Sequence, residues 1–213
     1  MQNSLNHISR TAQIHPNSTM GRDCFIGEYV IIGEPPRGKK SGELKTEIGE
    51  KAIIRSHTVI YAGNVIGDNF QTGHGVMIRE ENKIGNNVSI GTGSVIEHHV
   101  RIENNVRMHS QGFVPEYSIL EEDCWLGPNV VLTNAKYPLS QDTKKRLKGP
   151  VIKRKAKVGA NSTLLPGIVI GENALIGAGS VVTKNIPANK VAAGNPATLL
   201  KDISELPYRE LGE

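Results

Sequence analysis

The sequence predicts an all-β fold, a parallel β-helix wound from six-residue units, and three observations carry that reading. An aliphatic residue returns at every sixth position along most of the 213 residues. Aromatic residues make up only 4% of the chain, with a single Trp, which suits a narrow interior filled by Val, Ile, Leu and small residues. Glycine is abundant, at 23, as frequent tight turns require.

The series begins with Ile8, Ile14, Met20, Ile26 and Ile32. It breaks, resumes at Ile48, and continues through Ile54, Ile60, Ile66, Thr72, Ile78, Ile84, Ile90, Ile96, Ile102, Met108, Val114, Leu120, Leu126 and Leu132. After a second break, Ile152, Val158, Leu164, Ile170, Ile176, Val182 and Ala188 complete it. Four residues after these a small or β-branched residue is common, such as Val88, Ser94, Val100, Val106, Cys124 and Val130. Each unit is then one short strand and a turn with its aliphatic residue inward, and three units close a triangular coil. Residues eighteen apart stack in columns at ~4.8 Å, the spacing between neighbouring strands. One coil cannot bury its own apolar face, so stability comes from stacking. Asn69, Asn87, Asn105, Gly63 and Gly93 fall at the corners, where left-handed backbone is wanted.

The two breaks are polar insertions, Gly33 to Glu47 (GEPPRGKKSGELKTE) and Thr133 to Pro150 (TNAKYPLSQDTKKRLKGP), and both are expected to leave the coil as loops. The domain therefore runs over 1–200, with loops near 33–47 and 133–150. A tail, 201–213, follows, in which Asp202 and Glu205 suit the start of a short helix limited by Pro207. Cys24 and Cys124 occupy small inward positions and read as core packing in a reducing, cytoplasmic setting.

The chain carries a net charge of +4 and has a pI near 9.0. Its basic residues cluster at Lys144, Lys145, Arg146, Lys148, Lys153, Arg154, Lys155 and Lys157. That cluster reads either as a solvated loop or as a local phosphate-binding patch. Without interleaved aromatic residues it does not suggest single-stranded nucleic acid. The sequence shows no signal peptide and no apolar run long enough to span a bilayer, so no membrane insertion is expected.

The recurring Ile-Gly-x-x-small-x pattern, over about residues 8 to 200, resembles the hexapeptide-repeat acyltransferases. The segment from Ile176, IGAGSVVTKNIPANKVAAGNPA, is similar to the closing coil of their acyl-CoA-dependent members. That resemblance implies a left-handed coil, a homotrimer with active sites between subunits, and acetyl-CoA or another acyl-CoA as co-substrate. The first insertion with IRSHTVIYAG resembles the UDP-N-acetylglucosamine acyltransferases of lipid A synthesis. The second, with WLGPNVVLTN before it, resembles the nucleotide-linked amino-sugar N-acetyltransferases, in which a loop here helps cover the acyl-donor cleft. The acceptor implied is the amino group of a nucleotide-linked amino sugar, with O-acylation of a sugar hydroxyl as the alternative.

Acyl transfer from a thioester needs a base, stabilisation of the developing oxyanion, and alignment of the two substrates. Of the seven histidines, His7 and His15 read as surface residues, while His57, His74, His98, His99 and His109 fall in the middle coils. His98 is the candidate base, because it stands two residues after the inward Ile96, near a corner and facing outward. Ile96-Glu97-His98-His99-Val100 resembles the Glu-His-acid segment of the bacillosamine-type N-acetyltransferases, although His99 stands where that family often has an acid. A spacing of eighteen places Glu80 and Glu116 in one column with His98, and Glu80 is the expected orienting partner. The lipid A resemblance instead lands that family's base on Glu80. The 3-amino-sugar N-acetyltransferases match at Glu103-Asn104-Asn105-Val106, which makes Asn104 or Asn105 the residue that orients an already neutral amine. His109, stacked between Gly91 and Gly127, has room to contact substrate, and Glu116 and Asn134 complete the expected acceptor contacts.

For the acyl donor, the resemblance implies coenzyme A along the last coils, against the backbone of Gly159, Ala160, Gly177 and Ala178. Lys184, Lys190 or the basic loop would meet its phosphates. Two rivals belong to other classes. A zinc-dependent gamma-type carbonic anhydrase on the same coil needs a His pair thirty-six apart, and the nearest, His74 and His109, is thirty-five apart, so no metal is expected. A non-enzymatic scaffold would not need the two polar insertions or the His–Glu column.

Overall fold

The computed structural model describes residues 5–208, and the remainder of the 201–213 tail lies outside the described residues. The chain winds as a triangular coil whose strands, mostly two residues long, fall into three sheets of 11, 9 and 8 strands, parallel except for the last strand of the first. These are called faces 1, 2 and 3. One coil reads Ser89–Ile90 on face 1, Val95–Ile96 on face 2 and Arg101–Ile102 on face 3. The next coil stacks on it in register, Ser89 on Arg107, Val95 on Phe113 and Arg101 on Ile119.

The period of six and the spacing of eighteen thus set both burial and register. The inward series from Ile26 to Val182 is buried almost throughout, and the small inward positions, Cys24 and Cys124 among them, are buried with it. Three positions depart from the small-residue rule, since Phe70, Asn64 and Asn82 are wholly enclosed where most coils place Val, Ser or Ala. The corners carry the left-handed backbone that closes each turn, at Asn69, Asn87 and Asn105 with φ near 55–59°. These asparagines also form a ladder, each amide donating to the next at 3.0 Å, from Asn69 to Asn87 and from Asn87 to Asn105.

Two parts of the predicted series are corrected. Ile8 is 42% exposed, because among the described residues no coil stacks on the outer side of its own. At the other end Ala188 is exposed, and Ile186, bridged to Ile170 and 5% exposed, is the inward residue. The last corner is two residues short, so the six-residue count overshoots there. Beyond it Lys190–Gly194 and Ala197–Asp202 form an antiparallel hairpin. The expected helix start is a single 3-10 turn, Ile203–Glu205, in which Asp202 caps the turn and Glu205 bonds back to the Asp202 backbone.

Both insertions leave and rejoin the coil between face 2 and face 3. Ser18 pairs with Thr46 across the first, and Ile119 with Val151 across the second. The corner between faces 2 and 3 therefore carries all the long excursions of the helix, and His98 lies on it between them.

Candidate active site

The corner between faces 2 and 3 is built from stacked four-residue turns: Arg79–Asn82, then Glu97–Val100, then Pro115–Ser118, with Asn134 opening the second loop above them. Two buried asparagines hold the lower turns. Asn64 Oδ1 accepts the Asn82 amide at 2.9 Å, and Asn82 Oδ1 accepts the Val100 amide at 2.7 Å. Their side-chain amides donate to the Arg79 carbonyl at 2.7 and 2.8 Å. Backbone groups that would be orphaned inside the corner are thus paired, and the turn bearing His98 is fixed from beneath.

His98 faces Glu116 rather than Glu80. Its Nε2 lies 3.4 Å from Glu116 Oε1, and the other carboxylate oxygen accepts from Asn134 Nδ2 at 2.5 Å. Nδ1 of His98 is enclosed without a hydrogen-bond partner, and Nε2 is the nitrogen that meets the carboxylate. Glu80 is held by its chain neighbour, accepting from Arg79 Nε at 2.9 Å and Nη2 at 3.1 Å. The same guanidinium reaches Glu97 at 3.5 Å and lies over the Tyr61 ring. Burial by itself would raise the Glu80 pKa, but the bonds and charge of Arg79, with His98 nearby, outweigh it and hold the carboxyl below its usual value. A carboxylate kept ionised and doubly bonded to an arginine is a poor proton acceptor, so Glu80 is not positioned as the base. It is an anionic wall beside His98.

His99 takes the left-handed turn position, with φ 56°. Its ring meets His98 edge-on at 4.8 Å and stacks on Tyr117 at 5.8 Å, and its Nε2 lies 3.8 Å from Glu81. The corner therefore gathers Glu80, Glu81, Glu97 and Glu116 around two imidazoles, with Arg79 as the one arginine. That field favours a cationic group.

Asn104, Asn105 and His109 lie on the remaining two corners. Asn104 and Asn105 are between faces 3 and 1, and both are taken up by the coil. Asn104 Oδ1 accepts the Asn86 amide at 2.9 Å, and Asn105 ends the asparagine ladder. This gives each a structural task that needs no substrate. His109 is between faces 1 and 2, packed on Trp125 at 4.9 Å, and His74 on that corner meets Ser56 Oγ at 2.9 Å. Among the described residues no group of three or more His, Cys, Asp or Glu side chains is arranged to hold a metal ion.

Gly159, Ala160, Gly177 and Ala178 share the corner of His109 in later coils. A Cβ on Gly159 would lie 2.5 Å from the Ala178 amide nitrogen, and one on Gly177 would lie 2.7 Å from Ala193 Cβ, so coil stacking alone requires these glycines. Lys184 is exposed on the His98 corner, whereas Lys190 is paired with Asp202 at 3.1 Å. Within the basic cluster Lys145, Lys153 and Arg154 pair with Asp142, Glu121 and Glu172. Among the described residues no helix is long and apolar enough to cross a membrane. Sequence reasoning missed Arg79, Asn64 and Asn82. Only the stacking interval of eighteen, applied to Asn64, Asn82 and Val100, would have pointed to the buried pair.

Comparison with known proteins places this architecture. The pattern of the bacterial transferase hexapeptide (six repeats) matches residues 149–184. The Saccharomyces cerevisiae protein YJL218W, whose name assigns it provisionally to the acetyltransferases, is 32% identical over 191 residues, covering 84% of this chain and 79% of that protein. The galactoside O-acetyltransferase of Lactococcus lactis is 41% identical over 87 residues, 39% of this chain and 42% of the relative, so the chain spans less than half its length. The dTDP-3-amino-3,6-dideoxy-alpha-D-galactopyranose 3-N-acetyltransferase of Aneurinibacillus thermoaerophilus is 51% identical over 49 residues, 23% of this chain and 26% of that one. Repeat, coil and the relative matched over most of both chains agree: the chain belongs to the hexapeptide-repeat acetyltransferase family and has its left-handed parallel β-helix.

Proposed function

We propose that this protein transfers an acetyl group from acetyl-CoA to the amino group of a nucleotide-linked amino sugar, with His98 as general base. The observation that carries the reading is the His98–Glu116–Asn134 chain on the corner flanked by both insertions. In the reaction the ammonium first gives one proton to His98 Nε2, which releases it to solvent, and the neutral amine nitrogen then adds to the thioester carbonyl carbon and forms a C–N bond. The C–S bond then breaks, and the second amine proton passes to His98 Nε2 and on to the departing thiolate. Glu116 stabilises the imidazolium that forms between those two transfers. The carboxylates around the corner favour an acceptor that arrives as an ammonium ion, which supports N-acylation over O-acylation.

The site is completed by a second copy. Outward side chains of face 2 include Ile31, Val59, Met77, Val95, Phe113, Val131 and Val181, an uncharged stripe that faces 1 and 3 lack. Met77 and Val131 on it are 38% and 37% exposed. A continuous apolar face of this kind marks an association surface. Three copies closed about a threefold axis with face 2 inward bring each corner between faces 2 and 3 against the next copy's corner between faces 1 and 2. That arrangement sets His98 of one copy beside the His109, Gly159 and Gly177 corner of its neighbour. Coenzyme A would then lie between copies along the later coils, with the basic loop and Lys184 near its phosphates.

His98→Ala is expected to lower turnover by roughly two to four orders of magnitude, the usual worth of a general base. The measurement is steady-state acetylation of a nucleotide-linked amino sugar, and a loss under about threefold would refute the assignment. The galactoside O-acetyltransferase relative favours a second reading, transfer to a sugar hydroxyl. Identification of the acetylated atom in the product separates the two.

A further inference from the structure

We propose that the groove at the amino-terminal end of the corner between faces 1 and 2 binds the nucleoside diphosphate part of the acceptor. This rests on the acyl-transfer reading above and assigns it a second subsite. The groove has a volume of about 800 Å³ and is lined by Phe25, His7, Arg10, Arg55, Glu28 and His74, among others.

Three features fit that ligand. The first is a flat aromatic surface, since His7 and Phe25 stack with ring centroids 4.9 Å apart and planes 5° apart, and Phe25 remains 42% exposed. Such a platform takes a heterocyclic base on its free side. The second is a pair of arginines. Arg55 is fixed by donating from Nη1 to the Thr72 carbonyl at 2.6 Å, and among the described residues neither it nor Arg10 pairs with a carboxylate. The paired arginines of the chain lie elsewhere, Arg22 with Glu50, Arg79 with Glu80, Arg101 with Glu103 and Arg154 with Glu172. Two guanidinium groups facing one groove match the oxygens of a diphosphate, and Glu28 offers an acceptor for ribose hydroxyls.

The third is the contrast with the His98 corner. That corner, crowded with carboxylates, repels phosphate and draws ammonium. A sugar nucleotide with a free amine has the opposite charges at its two ends. In the threefold arrangement the groove of one copy adjoins the His98 corner of the next, about three coils higher, or ~14 Å at the strand spacing. The acceptor would lie along that line, its diphosphate on Arg10 and Arg55 and its amine at the neighbour's His98.

The test is calorimetric titration of the full chain with UDP, dTDP, inorganic pyrophosphate and acetyl-CoA, repeated for Arg10→Ala and Arg55→Ala. At least one nucleoside diphosphate is expected to bind, more tightly than pyrophosphate. Each substitution should weaken it about tenfold or more and raise the acceptor KM in step, with kcat within about twofold and acetyl-CoA affinity unchanged, the pattern of lost ground-state binding. Arg10 is exposed, so its replacement leaves folding intact and the result interpretable. Equal affinity in wild type and both variants, pyrophosphate binding as tightly as the nucleotides, or no nucleotide binding at all would overturn the subsite. Failure of acetyl-CoA to bind would instead overturn the transfer reading, and nucleotide binding lost in the arginine variants would still place a nucleotide in the groove.

Discussion

At the scale of single residues, the corner distinguishes two carboxylates that the coil interval treats as equal. Glu80 and Glu116 both stack eighteen residues from His98, yet only Glu116 meets its Nε2. The difference lies in Arg79, which is adjacent in sequence to Glu80 and takes both of its oxygens. Glu116→Gln is therefore expected to lower kcat about ten- to a hundredfold, because the imidazolium loses its counter-charge. Glu80→Gln, which leaves Glu116 in place, should change kcat less than about fivefold and act mainly through the released Arg79. The check is steady-state kcat and KM for both variants. An unchanged kcat in Glu116→Gln would show that Glu116 does not act on the base. His98 and its column were legible in the sequence because the interval of eighteen is geometric. Which carboxylate turns toward it was not, because that depends on competition with a neighbour on the same turn.

At the scale of elements, the coil explains most of its own glycines and asparagines. Asn104 and Asn105 resemble substrate ligands in sequence, but their amide oxygens are spent on the corner ladder. Gly159 resembles a coenzyme contact, but its missing side chain is first a demand of the next coil. Gly159→Ala should accordingly destabilise the fold by about 1–3 kcal/mol, the typical cost of overpacking, because the new methyl meets a backbone amide. Thermal denaturation tests this, and an unchanged melting temperature with weakened acetyl-CoA binding would move the residue from packing to ligand recognition. The same logic marks where the six-residue reading lost its hold. It assumes that every corner has the same length, and the corner before Ile186 does not, so Ala188 was placed inward in error. The hairpin Lys190–Asp202 was invisible for a related reason, as its strands pair antiparallel and carry no six-residue signal.

At the scale of the whole molecule, the three faces differ in what they offer solvent. Face 1 carries Gln71, Arg107 and Lys157 outward, and face 3 carries Lys83 and Arg101, while face 2 presents an uncharged row over nine strands. Its unbroken apolar stretch, Ile31 to Val131, covers six strands, ~24 Å at the strand spacing, more apolar length than an isolated soluble coil keeps bare. If face 2 is the surface on which copies meet, mass should report a trimer, and charge introduced at the middle of the row should dissociate it. Met77→Glu with Val95→Glu places two carboxylates on adjacent strands of face 2 in each copy, and closing the threefold would bring them together unpaired. Light scattering is expected to shift from trimer to monomer, with circular dichroism unchanged because both side chains point away from the coil interior. Activity should fall with the trimer, since His98 would lose the neighbouring corner that completes its site. A double variant that is monomeric and fully active would confine catalysis to one copy. One that remains trimeric would move the interface to another face and separate His98 from the groove of Arg10 and Arg55.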